Sequence, residues 1–271
     1  AVDGIFHVVR LFEDAEVTHE EGNVDPIRDL DIIMEELRAK DVESTTKAAE
    51  AIFRVARGGD KQKKFEHETY TKILECLEEK KDIRSQPWKI KEIDVIRELN
   101  LFAVKPRIFL ANMGKKDYLK KKNKWGAKFK EWVQQNGNDP IIPYSVAVEE
   151  ELLASDGTSP ANVKSSLPRI IKTGYQHLNL QYFFTCGEKE VKCWTIRKGS
   201  KAPKAGGVIH SDFEQAFVKA EIMAYDDLHE HGSEAAVKAA GKYHTKGKEY
   251  VVKDGDIILF KVGQVNKGKK K

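Results

Sequence analysis

Apolar positions along the chain fall into two regimes: helical spacing broken by short apolar runs up to about residue 180, then alternation of period two. The run Ile5-Phe6-His7-Val8-Val9 within the first ten residues is of the kind that fills a central parallel strand. Asp25-Pro26 offers an N-cap followed by proline at the first helical position. Ile27, Leu30, Ile33, Met34 and Leu37 then recur on one face, which predicts a helix packed on a sheet. A second helix through Ala48, Ala51, Ile52 and Val55 is expected to stop at Gly58-Gly59-Asp60, and the spacing restarts at His67, Tyr70, Ile73, Leu74 and Leu77. Two helices joined by such a turn form an antiparallel hairpin. With a further helix at Ile90, Ile93, Ile96 and Leu99, the segment is too long for an ordinary crossover and is read as an inserted helical subdomain.

The sheet resumes at Ile108-Phe109-Leu110. A lysine-rich helix from Lys115 to Lys130, with Trp125 and Phe129 on its apolar side, leads to a further strand at Ile141-Ile142-Pro143-Tyr144. Strand, helix, strand is the grammar of a doubly wound α/β sheet. Ser155 to Ser166 is linker-like, and a short helix covers 167–178. Beyond it, Tyr182–Thr185 and Val191–Ile196 flank the turn Gly187-Glu188-Lys189 as a hairpin. A helix over Asp212–Ala220 is expected to bury Phe213, Ala216 and Phe217. Strands Tyr250–Val252 and Ile257–Phe260 close the region around Asp254-Gly255-Asp256, compatible with a small β-grasp, ubiquitin-like fold.

Composition narrows the class. With 40% apolar and 33% charged residues, the 271-residue chain can bury real cores in about two domains. Its 47 Lys and Arg against 43 Asp and Glu leave a net charge of only +4, so polyanion binding has to come from local clusters. Three cysteines at irregular spacing give neither a disulfide framework nor a zinc pattern, and Cys193, inside an alternating strand, reads as a small core residue. No run of 18 apolar residues occurs and the N-terminal region carries acids where a signal would carry bases, so a cytoplasmic protein that does not enter a membrane is expected, as a monomer. Because the chain begins without Met and falls straight into a strand, an upstream portion is expected to be missing.

The chemistry concentrates in Arg107–Asp117, where a buried strand runs into an Asn-led loop and a helix, like the base-recognition corner of a GTPase-type nucleotide domain. No Gly-x-x-x-x-Gly-Lys-[Ser/Thr] loop occurs anywhere to cradle phosphates. Asn112-Met113-Gly114-Lys115 is therefore either a base contact or an ordinary strand-to-helix loop, and Ser145 either a second base-side group or a strand-end hydroxyl. Eight lysines between Lys115 and Lys130, among them Lys116, Lys120, Lys121, Lys122 and Lys124, form either a solvated face or a surface for phosphates of RNA. Glu149, Glu150 and Glu151 read as an exposed run. No catalytic carboxylate pair and no metal-ligand spacing is present, so no catalytic or metal residue is assigned.

Several segments carry a resemblance: Phe12-Glu13-Asp14 through Thr18-His19, Gly22–Asp29, Lys116-Asp117-Tyr118 with Lys121–Trp125, Tyr182–Thr185, Trp194–Pro203 and Ala236–Tyr243. Together they resemble the Obg-like ATPase (YchF) family over nearly the whole chain. The resemblance implies an α/β fold made of part of a P-loop NTPase domain (1–42 and 101–178), an inserted α-helical hairpin (43–100), a C-terminal TGS domain of β-grasp type (179–264) and a basic tail (265–271). It implies ATP binding and hydrolysis in preference to GTP, with Mg²⁺, and association with ribosomes. The phosphate loop, magnesium ligands and switch regions would all lie upstream of Ala1, so the chain alone is expected to be inactive. Asn112 would sit at the Asn of the Asn-Lys-x-Asp base motif, Met113 where backbone meets the adenine ring, and Ser145-Val146-Ala147 in the second base-side loop. At the position where guanine readers place Asp and this family typically places Glu, this sequence has Lys115, which cannot accept a hydrogen bond. The rival reading is a non-catalytic adaptor that binds ribosomal RNA or protein through the hairpin and the TGS domain.

Overall fold

The computed structural model describes residues 2–155, 163–187 and 190–264. Most of the expected linker, the tip of the 187–189 turn and the basic tail lie outside them. The chain divides into two compact units, 1–172 and 173–271.

In the first unit, β1 (Ile5–Leu11), β2 (Arg107–Met113) and β3 (Ile141–Tyr144) form a parallel sheet in the order β1-β2-β3. The central strand is β2, not the strand at the start of the chain. It pairs on both sides and is buried along nearly its whole length, whereas Phe6 and Val8 of β1 are exposed. One face of the sheet packs Val9, Leu11, Phe109, Ala111 and Met113 against Leu30 and against Phe129, Trp132 and Val133; the other holds Ile108, Leu110 and Ile142.

Helix α1 (Pro26–Arg57) starts where the Asp25 carboxylate accepts from the backbone N–H of Ile27 and Arg28. No Gly or Pro interrupts it before Gly58, so the two helices expected here are one, running straight through the boundary expected at 42/43. Its core face is more polar than the spacing suggested: Asp41, Thr45 and Ala49 are buried, while Ile33 and Val55 face outward. Asp41 accepts from the backbone N–H of Phe102 and Ala103, both at 2.7 Å, and burial pushes its pKa up. Helix α2 (Lys61–Glu78), capped by Asp60, packs along α1 and shares a core of Tyr70, Ile73, Leu77, Ile83, Val95 and Ile96 with α3 (Ile90–Leu99). Ile90 and Ile93 of α3 lie on the outer face. The inward position belongs to Glu92, whose carboxylate takes Lys72 Nζ (2.5 Å) and Lys89 N (2.8 Å) and is held below its usual pKa, chiefly by the Lys72 hydrogen bond.

A buried carboxylate ties this helical part to the sheet. Asp139 accepts from Arg84 Nη1 (2.8 Å) and from Arg107 Nε (3.1 Å), while Arg107 Nη2 also donates to the Asn136 carbonyl (3.0 Å). Burial opposes the charge on Arg84, but its hydrogen bonds to Asp139 and Asp82 prevail and raise its pKa; burial, with the Arg84 charge, lowers that of Arg107. Gly137 sits here at φ +114°, where a Cβ would run into the guanidinium of Arg84.

After β2 come α4 (Lys115–Lys120), α5 (Gly126–Gln135), α6 (Val146–Ala154) and α7 (Leu167–His177), the last spanning the division between units. The lysine-rich stretch is thus not one helix. Lys121 ends α4 in the left-handed region at φ 51°, and Asn123 Nδ2 fixes the break by donating to the Leu11 carbonyl and to Asp117 Oδ2, both at 2.8 Å.

The second unit runs β4 (Leu180–Cys186), β5 (Val191–Arg197), α8 (Ala202–Ile209), α9 (Ser211–Gln215), β6 (Phe217–Ala224), α10 (Tyr225–His231), α11 (Glu234–Ala239), β7 (His244–Lys246) and β8 (Asp256–Val262). Sheet order is β5-β4-β8-β6-β7, with β4 and β8 parallel and the other neighbours antiparallel. Phe183, Ile196, Ala205, Phe217, Ile222 and Phe260 centre its core. The helix expected over Asp212–Ala220 stops at Gln215, because Phe217, Ala220 and Ile222 join β8 as a strand. Residues 250–252 form no strand, only a single bridge from Val251 to Lys201, and Cys193 is exposed instead of part of the core.

Candidate nucleotide-base site

The carboxyl ends of β2 and β3 meet at one corner of the first unit. Asn112 stands opposite Tyr144 in the ladder, and its Oδ1 accepts from the backbone N–H of Val146 at 3.3 Å. That bond joins the loop after β2 to the loop after β3. Ser145, at the head of α6, is 1% exposed, and its Oγ has no hydrogen-bond partner among the described residues. A buried hydroxyl left unsatisfied costs about 1–3 kcal/mol, so an acceptor or donor brought by a ligand would be welcome there. Val146 and Ala147 are exposed beside it. The Met113 side chain belongs to the core, leaving only its backbone to face a ligand.

Lys115 does not reach toward Asn112. Its Nζ lies 2.5 and 2.7 Å from the two carboxylate oxygens of Glu151 on α6, a half-exposed pair worth at most about 1 kcal/mol. Glu149, on the same helix, accepts from the hydroxyls of Ser165 and Ser166, which hold its pKa down against the effect of burial. The acidic run, expected to be simply exposed, therefore has two structural anchors. Nothing in its sequence pattern separates them from Glu150.

The other lysines divide. Lys116, Lys120 and Lys122 line a cleft of about 710 Å³ bordered by Phe12 and Trp125, and Lys124 on its rim pairs with Glu13 at 2.6 Å. Lys121 borders a different cleft with Met113, Pro143 and Arg169. The segment Phe12–Thr18 is pinned by Arg10, whose guanidinium donates to the carbonyls of Phe12 (3.2 Å), Val17 (3.1 Å) and Thr18 (3.1 Å). Asn123 and Glu151 were not legible as site residues because each acts through a contact distant in sequence, and Arg10 because its partners are backbone carbonyls of an irregular segment, which leave no pattern of residue types.

A parallel sheet whose carboxyl ends carry an Asn-led loop and a second loop hydrogen-bonded to it is the layout of a nucleotide-binding domain. Similarity to known proteins agrees with that class. Obg-like ATPase 1 of Oryza sativa subsp. japonica is 50% identical over 277 residues, covering 100% of this chain and 70% of the relative. Obg-like ATPase 1 of Gallus gallus is 50% identical over 283 residues, covering 100% and 71%. The structure of the Schizosaccharomyces pombe YchF GTPase superposes with a TM-score of 0.84 at 49% identity, over 96% of this chain and 72% of that one. Residues 180–263 match the profile of the family YchF-GTPase_C, described as a protein of unknown function (DUF933). These relatives bear the names of nucleotide hydrolases, ATPase or GTPase. The chain belongs to the Obg-like ATPase (YchF) family. Among the described residues, no helix is long and apolar enough to cross a membrane.

Proposed function

We propose that this protein is the ATP-binding, ATP-hydrolysing member that its family name suggests, with adenine preferred over guanine, and that the chain in hand supplies the base side of the site. The observation that carries this reading is the hydrogen bond from the Val146 N–H to Asn112, which sets the two loops side by side next to the orphan hydroxyl of Ser145. Guanine readers need a carboxylate to accept from the N1 and N2 protons. Here that position holds a lysine already engaged by Glu151, so those donors would stay unpaired at about 1–3 kcal/mol each. Asn112, the Met113 backbone and the loop Ser145-Val146-Ala147 would hold adenine. Magnesium, when bound, would neutralise phosphate charge, and no residue of this chain is proposed as its ligand. The helical pair α1–α2 is read as the inserted hairpin and the second unit as the TGS domain of a cytoplasmic monomer.

The test uses nucleosides, because the residues proposed here would touch only the base. Titrating the chain with adenosine and guanosine while following the amide resonances of Asn112 and Val146 should show tighter adenosine binding. Lys115→Asp alone would set a carboxylate against Glu151; the double variant Lys115→Asp/Glu151→Gln supplies a carboxylate that no neighbouring charge engages or repels and should gain guanosine affinity by about fivefold or more. Equal binding of both nucleosides by the natural sequence would overturn the reading.

A second role in ribosome association, by RNA or ribosomal protein contact, is favoured by Lys116, Lys120 and Lys122, which share one cleft and make no ion pair among the described residues. Replacing the three by Gln should lower co-sedimentation with ribosomes and flatten its salt dependence. Unchanged sedimentation and slope would leave a merely solvated face.

A further inference from the structure

Among the described residues, the turn joining α1 to α2 is the place in the helical part where cations gather without partners. Elsewhere most are matched, Arg38 with Glu35, Lys47 with Glu43, Lys72 with Glu92 and Lys80 with Glu35, while Lys89 and Lys91 at the start of α3 make no ion pair among the described residues. Between Arg54 and Lys64 the sequence has five Lys or Arg and one carboxylate, Asp60, which caps α2; Lys63 pairs with Glu66 at 2.6 Å. Arg54, Arg57, Lys61 and Lys64 make no ion pair among the described residues, and all four are exposed.

An aromatic surface lies among them. Phe53 is 44% exposed; its ring is 5.5 Å from that of His67 across the helix pair, and the Arg57 guanidinium sits 5.5 Å from its centroid. Phe53 and Arg57 are four residues apart on α1, Lys64 and His67 three apart on α2, so the Phe53–His67 contact places all four on one shared face. The Arg57 contact is worth only about 0.5–1 kcal/mol at an exposed site and leaves nearly half of the ring open. A strand of nucleotides gains from both, since phosphates take the cations and a base takes the ring.

We propose that the tip of the α1–α2 pair is a binding site for single-stranded RNA, with Arg57, Lys61 and Lys64 against phosphates and an unpaired base stacked on Phe53. It uses side chains separate from the cleft lysines proposed above for ribosome contact, and the two are distinguished by experiment. Binding of a labelled single-stranded RNA of ~12 nucleotides to the full chain is followed by fluorescence anisotropy across a salt series, for the natural sequence and three variants. Arg57→Gln/Lys64→Gln should weaken binding and reduce the slope of log affinity against log salt by about 1.4, or about 0.7 for each phosphate no longer neutralised. Phe53→Ala should weaken binding about fivefold with the slope unchanged, the signature of a missing stack. Lys116→Gln/Lys120→Gln/Lys122→Gln should leave both tip effects in place. Thermal unfolding of each variant controls for folding, and since the three tip side chains are exposed, no shift is expected. The proposal is overturned if both tip variants bind RNA like the natural chain. It is equally overturned if polyglutamate competes as well as RNA and is insensitive to Phe53→Ala, which would mark an acidic protein partner instead.

Discussion

Phosphate release from ATP by a polypeptide of these 271 residues is expected to stay at the level of a protein-free control, with or without magnesium. In phosphoryl transfer the protein does little covalent work; it positions the phosphates and stabilises the charge spread over them. In P-loop enzymes that task falls to the backbone N–H groups, lysine and hydroxyl of one glycine-rich loop and to the metal that it holds. The sequence contains no such loop, and Asn112, Val146 and Ser145 are proposed here only as contacts to a base. The minimum acceleration typical of an enzyme, about a millionfold, should therefore be missing even where adenosine binds. A sensitive assay of released phosphate decides it. Magnesium-dependent turnover above background that follows the protein through purification would show that side chains outside any glycine-rich loop hold the phosphates.

Loss of the Asp139 carboxylate should be the most damaging single change to the fold. Asp139→Ala leaves the Arg107 guanidinium, on a side chain only 5% exposed, without its carboxylate, and cuts Arg84 from the sheet in the same step. Breaking a buried pair from one side costs about 3–5 kcal/mol, because the remaining charge stays desolvated. A fall of about 10 °C in the thermal unfolding of the first unit is the expected result. Lys115→Gln, which breaks a half-exposed pair, should move it by no more than about 2–4 °C. Asp139→Ala unfolding within that smaller range would mean that water reaches the arginines and that the network adds little.

Much of the architecture was legible in the sequence for one physical reason: strands buried on both faces and helices packed on one side leave apolar patterns of fixed period. Ile108–Leu110 and the paired strands around Tyr182–Thr185 and Val191–Ile196 read correctly on that ground, and the helix start at Asp25-Pro26 read correctly from its cap. The errors arose where polar contacts overrode the pattern. Glu92 turned α3 so that Ile90 and Ile93 face out, Asn123 cut the lysine-rich helix in two, and pairing with β8 drew 217–224 out of a helix into a strand. The candidate site was legible only as types of residue at the ends of strands. That Lys115 is engaged by Glu151, or that Asn112 reaches the loop after β3, depends on contacts 36 and 34 residues apart, which no local spacing encodes.

The unbroken run of α1 makes the helical part a lever. One end is set by Leu30 in the core beneath the sheet, and the other, at Arg57, carries the exposed cationic turn. From Leu30 to Arg57, at about 1.5 Å per residue, the rod is roughly 40 Å long. With no proline or glycine inside it to absorb bending, a tilt of about 5° where α1 meets the sheet would sweep the far end by about 3.5 Å. A displacement too small to notice among the strands would thus be enough, roughly 35 Å away at Phe53, to shift its ring by about 3 Å.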